Sequence, residues 1–401
     1  MTSQVHAKHA PCYLDANAMM PLRASARQVM ADLLSDAHAL HGNPATLHTL
    51  GRAVRFRIER ARTRLAELLN CDQAHLFFTA SGTESNFLAL AGTLPHVPHL
   101  FVGATEHVSL ADNAAKLASD HNVPLTTAAV QSDGTADLDC FEAALKGVSQ
   151  PNASGDHAFL ASFMTANHET GVLHPLEEIS ELCKRYGGFL HTDASQAFGK
   201  VPLDLAHADL TTLSSHKIGG PVGIGALVIK SHVPFAPPVL GGGQEDGVRS
   251  GTTSLLLVEG FVAAAEEALA DNFQHMNQLA QWRQTMERGL QGEAPNVRIW
   301  GDKAPRLPQT TYLSMPRMST ETQLMALDLA GFAVSGGAAC SSGLKGASPV
   351  LTAMGADPAE AECALRVSTG WHTTENDVRA FTQAWLNLYH RNQQGTLTHA
   401  A

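Results

Sequence analysis

Cysteines are few in this chain, and none is placed to hold a metal ion or to build a disulfide framework. They are Cys12, Cys71, Cys140, Cys183, Cys340 and Cys363. No two of them form a C-x-x-C pair, and none shares a short segment with histidine at zinc-finger spacing, so no metal site is predicted. Six scattered cysteines in 401 residues cannot be a disulfide framework, which favours a reducing compartment and hence the cytoplasm.

Long apolar runs and an excess of basic residues are also missing. The most apolar long stretch, residues 255–270, contains Glu259, Glu266 and Glu267, so it does not predict a membrane span. The start, MTSQVHAKHAPC, has no apolar run of the signal-peptide type. Because 27 lysines and arginines face 38 aspartates and glutamates, the net charge is −11, and we expect neither nucleic acid nor an anionic membrane as a partner.

The pattern of apolar residues predicts a folded α/β protein. Apolar residues make up 44% of the chain and charged residues 16%, which is typical of a globular protein, here of two or three domains. Helical spacing covers residues 24–34 and 52–69. Helical segments then alternate with the short apolar runs HLFFTA, HLFVGAT, AFLASFMTA, GFLHTDAS and DLTTLSSHK. This alternation predicts a mostly parallel sheet, followed by a smaller C-terminal domain containing VRIW, QTTYLSMP, FAVSGGAAC and ALRVSTG.

Polar residues directly after the predicted strands indicate where a ligand would bind, because ligands of parallel sheets lie beyond the carboxyl ends of the strands. Ser81-Gly82-Thr83 opens a helix, where main-chain N–H groups and two hydroxyls suit a phosphate. An ordinary helix cap without a ligand is the alternative interpretation. His107 follows another strand and suits either stacking on a ring and proton transfer or a simple loop position.

Asp193 and Lys217 follow two further strands and together indicate one cofactor. A carboxylate at the end of an apolar strand needs hydrogen bonds or a cation, and a protonated pyridine nitrogen would supply the cation. Lys217 stands in SSHKIGGPVGIG, a loop with few side chains that suits Schiff-base formation. Taken singly, a salt-bridged aspartate and a surface lysine remain alternatives. A phosphate turn, a pyridinium partner and an aldehyde partner are the three parts of a pyridoxal phosphate site.

Two residues of the predicted smaller domain carry further chemistry. Cys340 lies in SGGAACSSG, and such small neighbours are typical of an exposed, reactive thiol and unlike core packing. Arg366, in LRVSTG, offers a planar fork for the carboxylate of an amino acid, although a surface ion pair would use the same group.

These residues make the chain similar to the pyridoxal-phosphate enzymes of fold type I, class V aminotransferase branch. Within that branch it resembles the cysteine desulfurases of the nitrogen-fixation and iron–sulfur-cluster type. The resemblance extends from YLDANAMMP to LRVSTGWHTTENDV. Its most specific motifs are GNPATLHTLGR, FFTASGTESN, HTDASQAFGKVPLD, SSHKIGGPVGIGAL, GGGQEDGVRSGT and AVSGGAACSSG.

The resemblance implies a two-domain α/β fold and a homodimer. Residues 23–271 would form the large domain, which binds pyridoxal phosphate and has a mostly parallel seven-stranded sheet. Residues 1–22 and 272–401 would form the smaller α+β domain. We therefore expect the partners to be L-cysteine, a second copy of the chain and a sulfur-acceptor protein.

The resemblance also implies a role for each matching residue of the cofactor site. Lys217 would hold pyridoxal phosphate and move the Cα proton, Asp193 would pair with the pyridine nitrogen, and His107 would stack on the ring. Gln196 would bond the phenolic oxygen. The implied phosphate ligands are Gly82, Thr83, Ser214, His216 and, reaching into the neighbouring subunit, Thr252.

On the substrate side, the resemblance assigns Arg366 to the carboxylate of L-cysteine, with Asn167 and His168 beside it. Cys340 would attack the sulfur of the substrate, keep it as a persulfide and leave alanine. His168 stands where the family has a second asparagine before Glu169, at a position that contacts both the cofactor and the substrate. An imidazole N–H can donate one hydrogen bond there but does not match the donor-plus-acceptor pattern of an amide.

The implied activity is that of a cysteine desulfurase, a sulfurtransferase that supplies iron–sulfur-cluster or thio-cofactor biosynthesis. Two alternatives stay open at this point. One is a selenocysteine lyase or another class V aminotransferase. The other is a weakly active paralogue that serves as a sulfur-relay or assembly partner, an alternative motivated by His168 and by Met19 and Met20 in place of two threonines.

Overall fold

The computed structural model describes residues 11–148, 158–337 and 347–395. The helices in these ranges are α1 (Ala24–Ser35), α2 (Thr49–Leu69), α3 (Gly82–Thr93), α4 (Val108–His121), α5 (Leu138–Val148), α6 (Leu176–Arg185), α7 (Leu255–Leu269), α8 (Gln274–Glu293), α9 (Thr320–Leu329), α10 (Pro349–Ala353), α11 (Pro358–Ala361) and α12 (Glu375–Gln393). The strands are β1 (Cys12–Tyr13), β2 (Leu76–Thr79), β3 (Leu100–Gly103), β4 (Leu125–Ala128), β5 (Leu160–Ser162), β6 (Phe189–Asp193), β7 (Leu210–Ser214), β8 (Gly225–Ile229), β9 (Arg298–Ile299), β10 (Thr310–Ser314), β11 (Phe332–Ala333) and β12 (Ala364–Ser368).

The predicted helices over residues 24–34 and 52–69 are confirmed as α1 and α2. Helix α2 buries Val54, Ile58 and Leu65 along one face, as the apolar spacing predicts. It begins three residues earlier than predicted because the ring of His48 caps it and accepts a hydrogen bond from the Gly51 N–H group.

Seven strands form the main sheet in the order β2-β8-β7-β6-β5-β3-β4. Neighbours pair in parallel from β4 to β7, whereas β8 is antiparallel to both β2 and β7. The mostly parallel seven-stranded sheet is therefore as predicted. Strands β2, β3, β5, β6 and β7 all run the same way, so their carboxyl ends meet at one edge of the sheet.

Helices cover both faces of this sheet, as expected for a sheet buried on two sides. Phe77 and Phe78 of β2 point to opposite faces. Phe78 packs in the cluster formed with α1, α2 and α7, whereas Phe77 packs in the cluster formed with α3 and α4. Because both faces are buried, the open edge at the carboxyl ends of the strands is left for a ligand.

A second, smaller assembly follows α8. Strands β12, β10 and β9 form an antiparallel sheet, while β1 from the amino-terminal segment pairs in parallel with β11. Leu14 packs in the same core as Phe381 and Trp385 of α12. This is the predicted α+β part of the fold, and the domain limits at residues 22/23 and 271/272 stay a prediction. No helix of the described ranges is both long and apolar enough to cross a membrane.

Candidate active site

A cavity of about 290 Å³ lies at the carboxyl ends of the main sheet. Most of the site residues predicted from the sequence line this cavity together, although they are far apart in the chain. They are Gly82, Thr83, His107, His168, Asp193, Gln196, Ser214, His216, Lys217 and Arg366. Cys340 lies outside the described residues.

Lys217 follows β7 in a short 3-10 turn, Ser215–Lys217. Its Nζ donates hydrogen bonds to the carbonyl oxygens of Asn17 and Ala18, at 2.8 and 3.0 Å. The amine is therefore held at the wall of the cavity by the segment that follows β1. Sequence reasoning missed Asn17 because its contact with Lys217 spans 200 residues.

Asp193 ends β6 and is 8% exposed. One carboxylate oxygen accepts from Nδ2 of Asn86 at 2.8 Å, and the other accepts from the N–H group of Ser195 at 2.9 Å. Among the described residues, no lysine, arginine or histidine forms an ion pair with it. A buried carboxylate that has hydrogen bonds and lacks a cation suits a ligand that brings a positive charge.

His107 is the N-cap of α4. Its Nδ1 accepts the Ser109 N–H group at 3.1 Å, so the neutral ring carries its proton on Nε2. Burial lowers the pKa of His107, which favours this neutral form. The His107 ring meets that of His168 edge to face, with centroids 5.1 Å apart.

The amino terminus of α3 supplies main-chain N–H groups to the cavity. Ser81 caps this helix by accepting from the Glu84 N–H group at 3.1 Å. Gly82 allows a close approach, because a Cβ atom there would stand 3.2 Å from Oγ of Ser195. At the end of β7, Oγ of Ser214 and Nδ1 of His216 lie 3.1 Å apart. Small polar groups and a helix amino terminus together suit a phosphate.

Arg366, on β12, is 2% exposed and has three acceptors within its own chain. Its Nη2 donates to Oδ1 of Asp15 at 2.7 Å, and its Nη1 donates to the carbonyl oxygens of His168 and Gly337. Its Nε has no partner among the described residues. Asp15 was missed because the sequence places it 351 residues from Arg366.

Two predicted residues lie off the cavity. Oδ1 of Asn167 accepts from the N–H groups of Glu169 and Thr170, and its Nδ2 donates to the carbonyl of Thr105, so this amide closes the turn after β5. Thr252 is exposed and does not line the cavity of this chain. The substrate role of Asn167 and the cross-subunit role of Thr252 stay predictions.

His168 lines the cavity as predicted, with its Nε2 3.6 Å from Oε1 of Glu169. Burial and the nearby His107, Arg366 and Lys217 hold the pKa of His168 well below its usual value. Burial raises the pKa of Glu169, whose other oxygen accepts from the Ser348 hydroxyl. The imidazole is therefore neutral and supplies one donor and one acceptor.

Comparison with known proteins agrees with this geometry. The family model described as aminotransferase class-V matches residues 12–381, and the chain belongs to that family. Its curated relatives include a cysteine desulfurase of Cereibacter sphaeroides, 35% identical over 91% of this chain and 92% of the relative. They also include cysteine desulfurase 2 of Trichormus variabilis, which is 36% identical over 91% of this chain and 90% of the relative.

Solved structures give the same result. A NifS-like protein from Rickettsia africae superposes with a TM-score of 0.83 at 30% identity, covering 95% of this chain and all of that one. The predicted fold type and the predicted resemblance to cysteine desulfurases are confirmed.

Proposed function

We propose that this protein is a pyridoxal-phosphate-dependent cysteine desulfurase, which converts L-cysteine to L-alanine and passes the sulfur on from a persulfide at Cys340. The observation that carries this proposal is the cavity itself. It brings Lys217, an aspartate that forms no ion pair within the described part of the chain and a buried arginine to one place at the sheet edge. Those are the groups needed to bind an aldehyde cofactor and an amino acid.

The residues present fit pyridoxal phosphate. Asp193 would face the protonated ring nitrogen, and the amino terminus of α3 with Ser214 and His216 would hold the phosphate. When bound, the cofactor supplies an aldehyde that captures the amine of the substrate and a ring that accepts electrons.

Lys217 would move the proton of the substrate, and His107 would offer a hydrogen bond. Two carbonyl oxygens fix Nζ of Lys217 beside the cavity, where its neutral form takes a proton from the substrate Cα. His107 keeps Nε2–H on the side away from Ser109, so the neutral ring can donate a hydrogen bond to a bound ligand. Arg366 would orient the substrate through its carboxylate.

Cys340 is the proposed nucleophile. Each of the five described cysteines has a raised pKa, four mainly because of burial and Cys140 mainly through its hydrogen bond with Asp137, so each is held as a thiol. The Cys340 thiolate would form an S–S bond with the substrate sulfur. The C–S bond then breaks, its electron pair stays on the β-carbon, and that carbon takes a proton to become the methyl group of alanine.

We further propose a homodimer, with Thr252 reaching the phosphate of the neighbouring subunit. Large apolar side chains are exposed at Leu47 (83%), Phe56 (67%) and Leu240 (87%), and the last directly precedes the loop that carries Thr252. Burial of such side chains against a second copy would stabilise the pair. Sedimentation of the purified protein tests this. The sulfur acceptor and the cytoplasmic location stay predictions from the sequence.

Alanine release from L-cysteine by Cys340→Ser tests the proposed activity. The wild type forms alanine and a protein-bound persulfide, and Cys340→Ser forms neither. Cys140→Ser, at an exposed described cysteine, is the matched control and keeps both. Full turnover by Cys340→Ser would overturn the persulfide step and favour a lyase or aminotransferase. A cofactor band that L-cysteine leaves unchanged would favour the weakly active paralogue.

A further inference from the structure

Lys200 is a fully buried lysine to which neither the sequence nor the proposed reaction assigns a role. It lies four residues after Gln196 in the turns that follow β6 and is 2% exposed. Its Nζ donates to Oε1 of Gln196 at 2.8 Å, the one hydrogen bond of this amine that the described residues show.

This bond determines which way the amide of Gln196 faces. Lys200 carries N–H groups in either protonation state, whereas the carbonyl of Asn17 on the other side of the amide can only accept, so the oxygen of the amide points at Lys200. Nε2 of Gln196 is thereby turned the other way and donates to the carbonyl of Asn17 at 2.9 Å. The same carbonyl accepts from Nζ of Lys217.

Gln196 therefore presents its N–H edge beside Lys217, at the wall of the cavity. An N–H donor there suits an acceptor oxygen on the bound ligand. With the opposite orientation, the amide would present its own oxygen to that acceptor and repel it. The direction of one amide thus decides whether the position attracts or repels the ligand.

Keeping an amine at position 200 has a free-energy cost. Burial, together with the nearby Lys217 and Arg366, lowers the pKa of Lys200 well below its usual value. Its chain neighbour Val201 packs against an apolar cluster that contains Ala197, so the surroundings of this turn are largely apolar. An unbranched apolar side chain would fill this space without the cost, so packing alone does not explain the amine.

We propose that Lys200 is a positioning residue that locks Gln196 with its N–H edge toward the ring oxygen of the cofactor. This inference rests on the proposed function, since it assumes that pyridoxal phosphate occupies the cavity. Lys200 does not touch the cofactor in this account and acts only through Gln196.

Spectra of the bound cofactor in a double-mutant cycle test the proposal. We compare the wild type, Lys200→Met, Gln196→Ala and the double variant, with Lys184→Met on the exposed face of α6 as the control. The measured quantity is the pH at which the visible absorption band of the bound cofactor is half-converted. A hydrogen-bond donor to the ring oxygen makes the bound cofactor less basic, so loss of the donor in each single variant should raise this midpoint by about one pH unit, a tenfold change. The double variant should show no further rise, because both changes remove the same interaction.

The possible results of this experiment separate the role of Lys200 from the proposed function. A midpoint that stays at the wild-type value in Lys200→Met, or additive shifts in the double variant, would overturn the role of Lys200 while the band of the wild type still supports the proposed function. A wild type with no visible band after incubation with pyridoxal phosphate would overturn both. If Lys200→Met does not fold, Lys200→Gln replaces it, since that amide can face Gln196 with either end and should give an intermediate shift.

Discussion

Oδ1 of Asp15 accepts a hydrogen bond from Nη2 of Arg366 at 2.7 Å, so the guanidinium proposed to bind the substrate already faces a carboxylate of its own chain. Arg366 is almost completely buried, whereas the Asp15 side chain is 18% exposed. A substrate carboxylate at this arginine would bring a second negative charge close to that of Asp15. The charge of Asp15 therefore weakens the attraction of Arg366 for the carboxylate of an amino acid.

Asp15→Asn should strengthen binding of the substrate carboxylate. Asparagine keeps an acceptor for Arg366 and removes the competing charge, so KM for L-cysteine should fall roughly fivefold, about 1 kcal/mol, with kcat unchanged. Steady-state alanine release measures both constants. Arg366→Lys is the opposite control, because a point charge cannot replace the fork and KM should rise. A rise in KM for Asp15→Asn would show that Asp15 only orients Arg366.

Glu245→Gln should destabilise the fold and loosen the loop that carries Thr252. The buried Glu245 carboxylate accepts from Arg62, at 2.6 and 3.1 Å, from the Phe78 N–H group and from the Thr253 hydroxyl. Removal of its charge leaves the buried guanidinium of Arg62 with only the more exposed Glu59 as an anionic partner, which costs about 3 kcal/mol of the free energy of unfolding. Urea denaturation measures this loss.

The exposed pair of Lys116 and Asp120 gives the matched control for that measurement. Lys116→Met should change the free energy of unfolding by less than about 0.5 kcal/mol, because solvent screens an exposed pair. A similar loss in the free energy of unfolding in both variants would show that the buried pair of Arg62 and Glu245 stabilises the fold no more than an exposed pair.

His174→Gln should make stability less dependent on pH. Nδ1 of His174 accepts the Ala136 N–H group at 3.1 Å, and burial lowers the pKa of this ring to about 4. Since the unfolded ring titrates near 6.5, the folded state loses stability as the pH falls from about 6.5 to 4. Between pH 7 and pH 5 the wild type should therefore lose about 2 kcal/mol more than His174→Gln. Equal losses in urea titrations at the two pH values would show that His174 is protonated in the folded protein.

His168→Asn should raise kcat/KM for L-cysteine about fivefold. The main-chain carbonyl of His168 accepts from Asn17 and Arg366 in any variant, so the turn is kept. The amide carries two N–H donors and an acceptor oxygen on one planar group, whereas the neutral imidazole has one donor and one acceptor on separate ring atoms; one additional hydrogen bond is worth about 1 kcal/mol. A fall in kcat/KM would mean that the imidazole itself takes part in the reaction.

Much of the fold and most of the cavity could be predicted because strand ends are visible in the sequence. Asp193 and Lys217 follow apolar runs, and parallel strands bring such ends together. Helix α2 was predictable from its apolar spacing, whereas its first residues depend on the cap at His48, which periodicity does not show.

What the sequence could not show are contacts between distant segments. Asn17 reaches the cavity and Asp15 reaches Arg366 because β1 pairs with β11, and no local sequence pattern indicates that pairing. Lys200 resembles a surface lysine, and only its spacing of four residues from Gln196 hints at a contact. Asn167 was predicted as a substrate ligand, although an asparagine two residues before a turn commonly bonds its own main chain, as it does here.

Borohydride reduction of the purified protein after incubation with pyridoxal phosphate, followed by peptide mass spectrometry, tests the central claim most directly. We expect one reduced cofactor attached to Nζ of Lys217, and no label in Lys217→Ala. A protein that stays unlabelled, or that carries the label on another lysine such as Lys200, would contradict it.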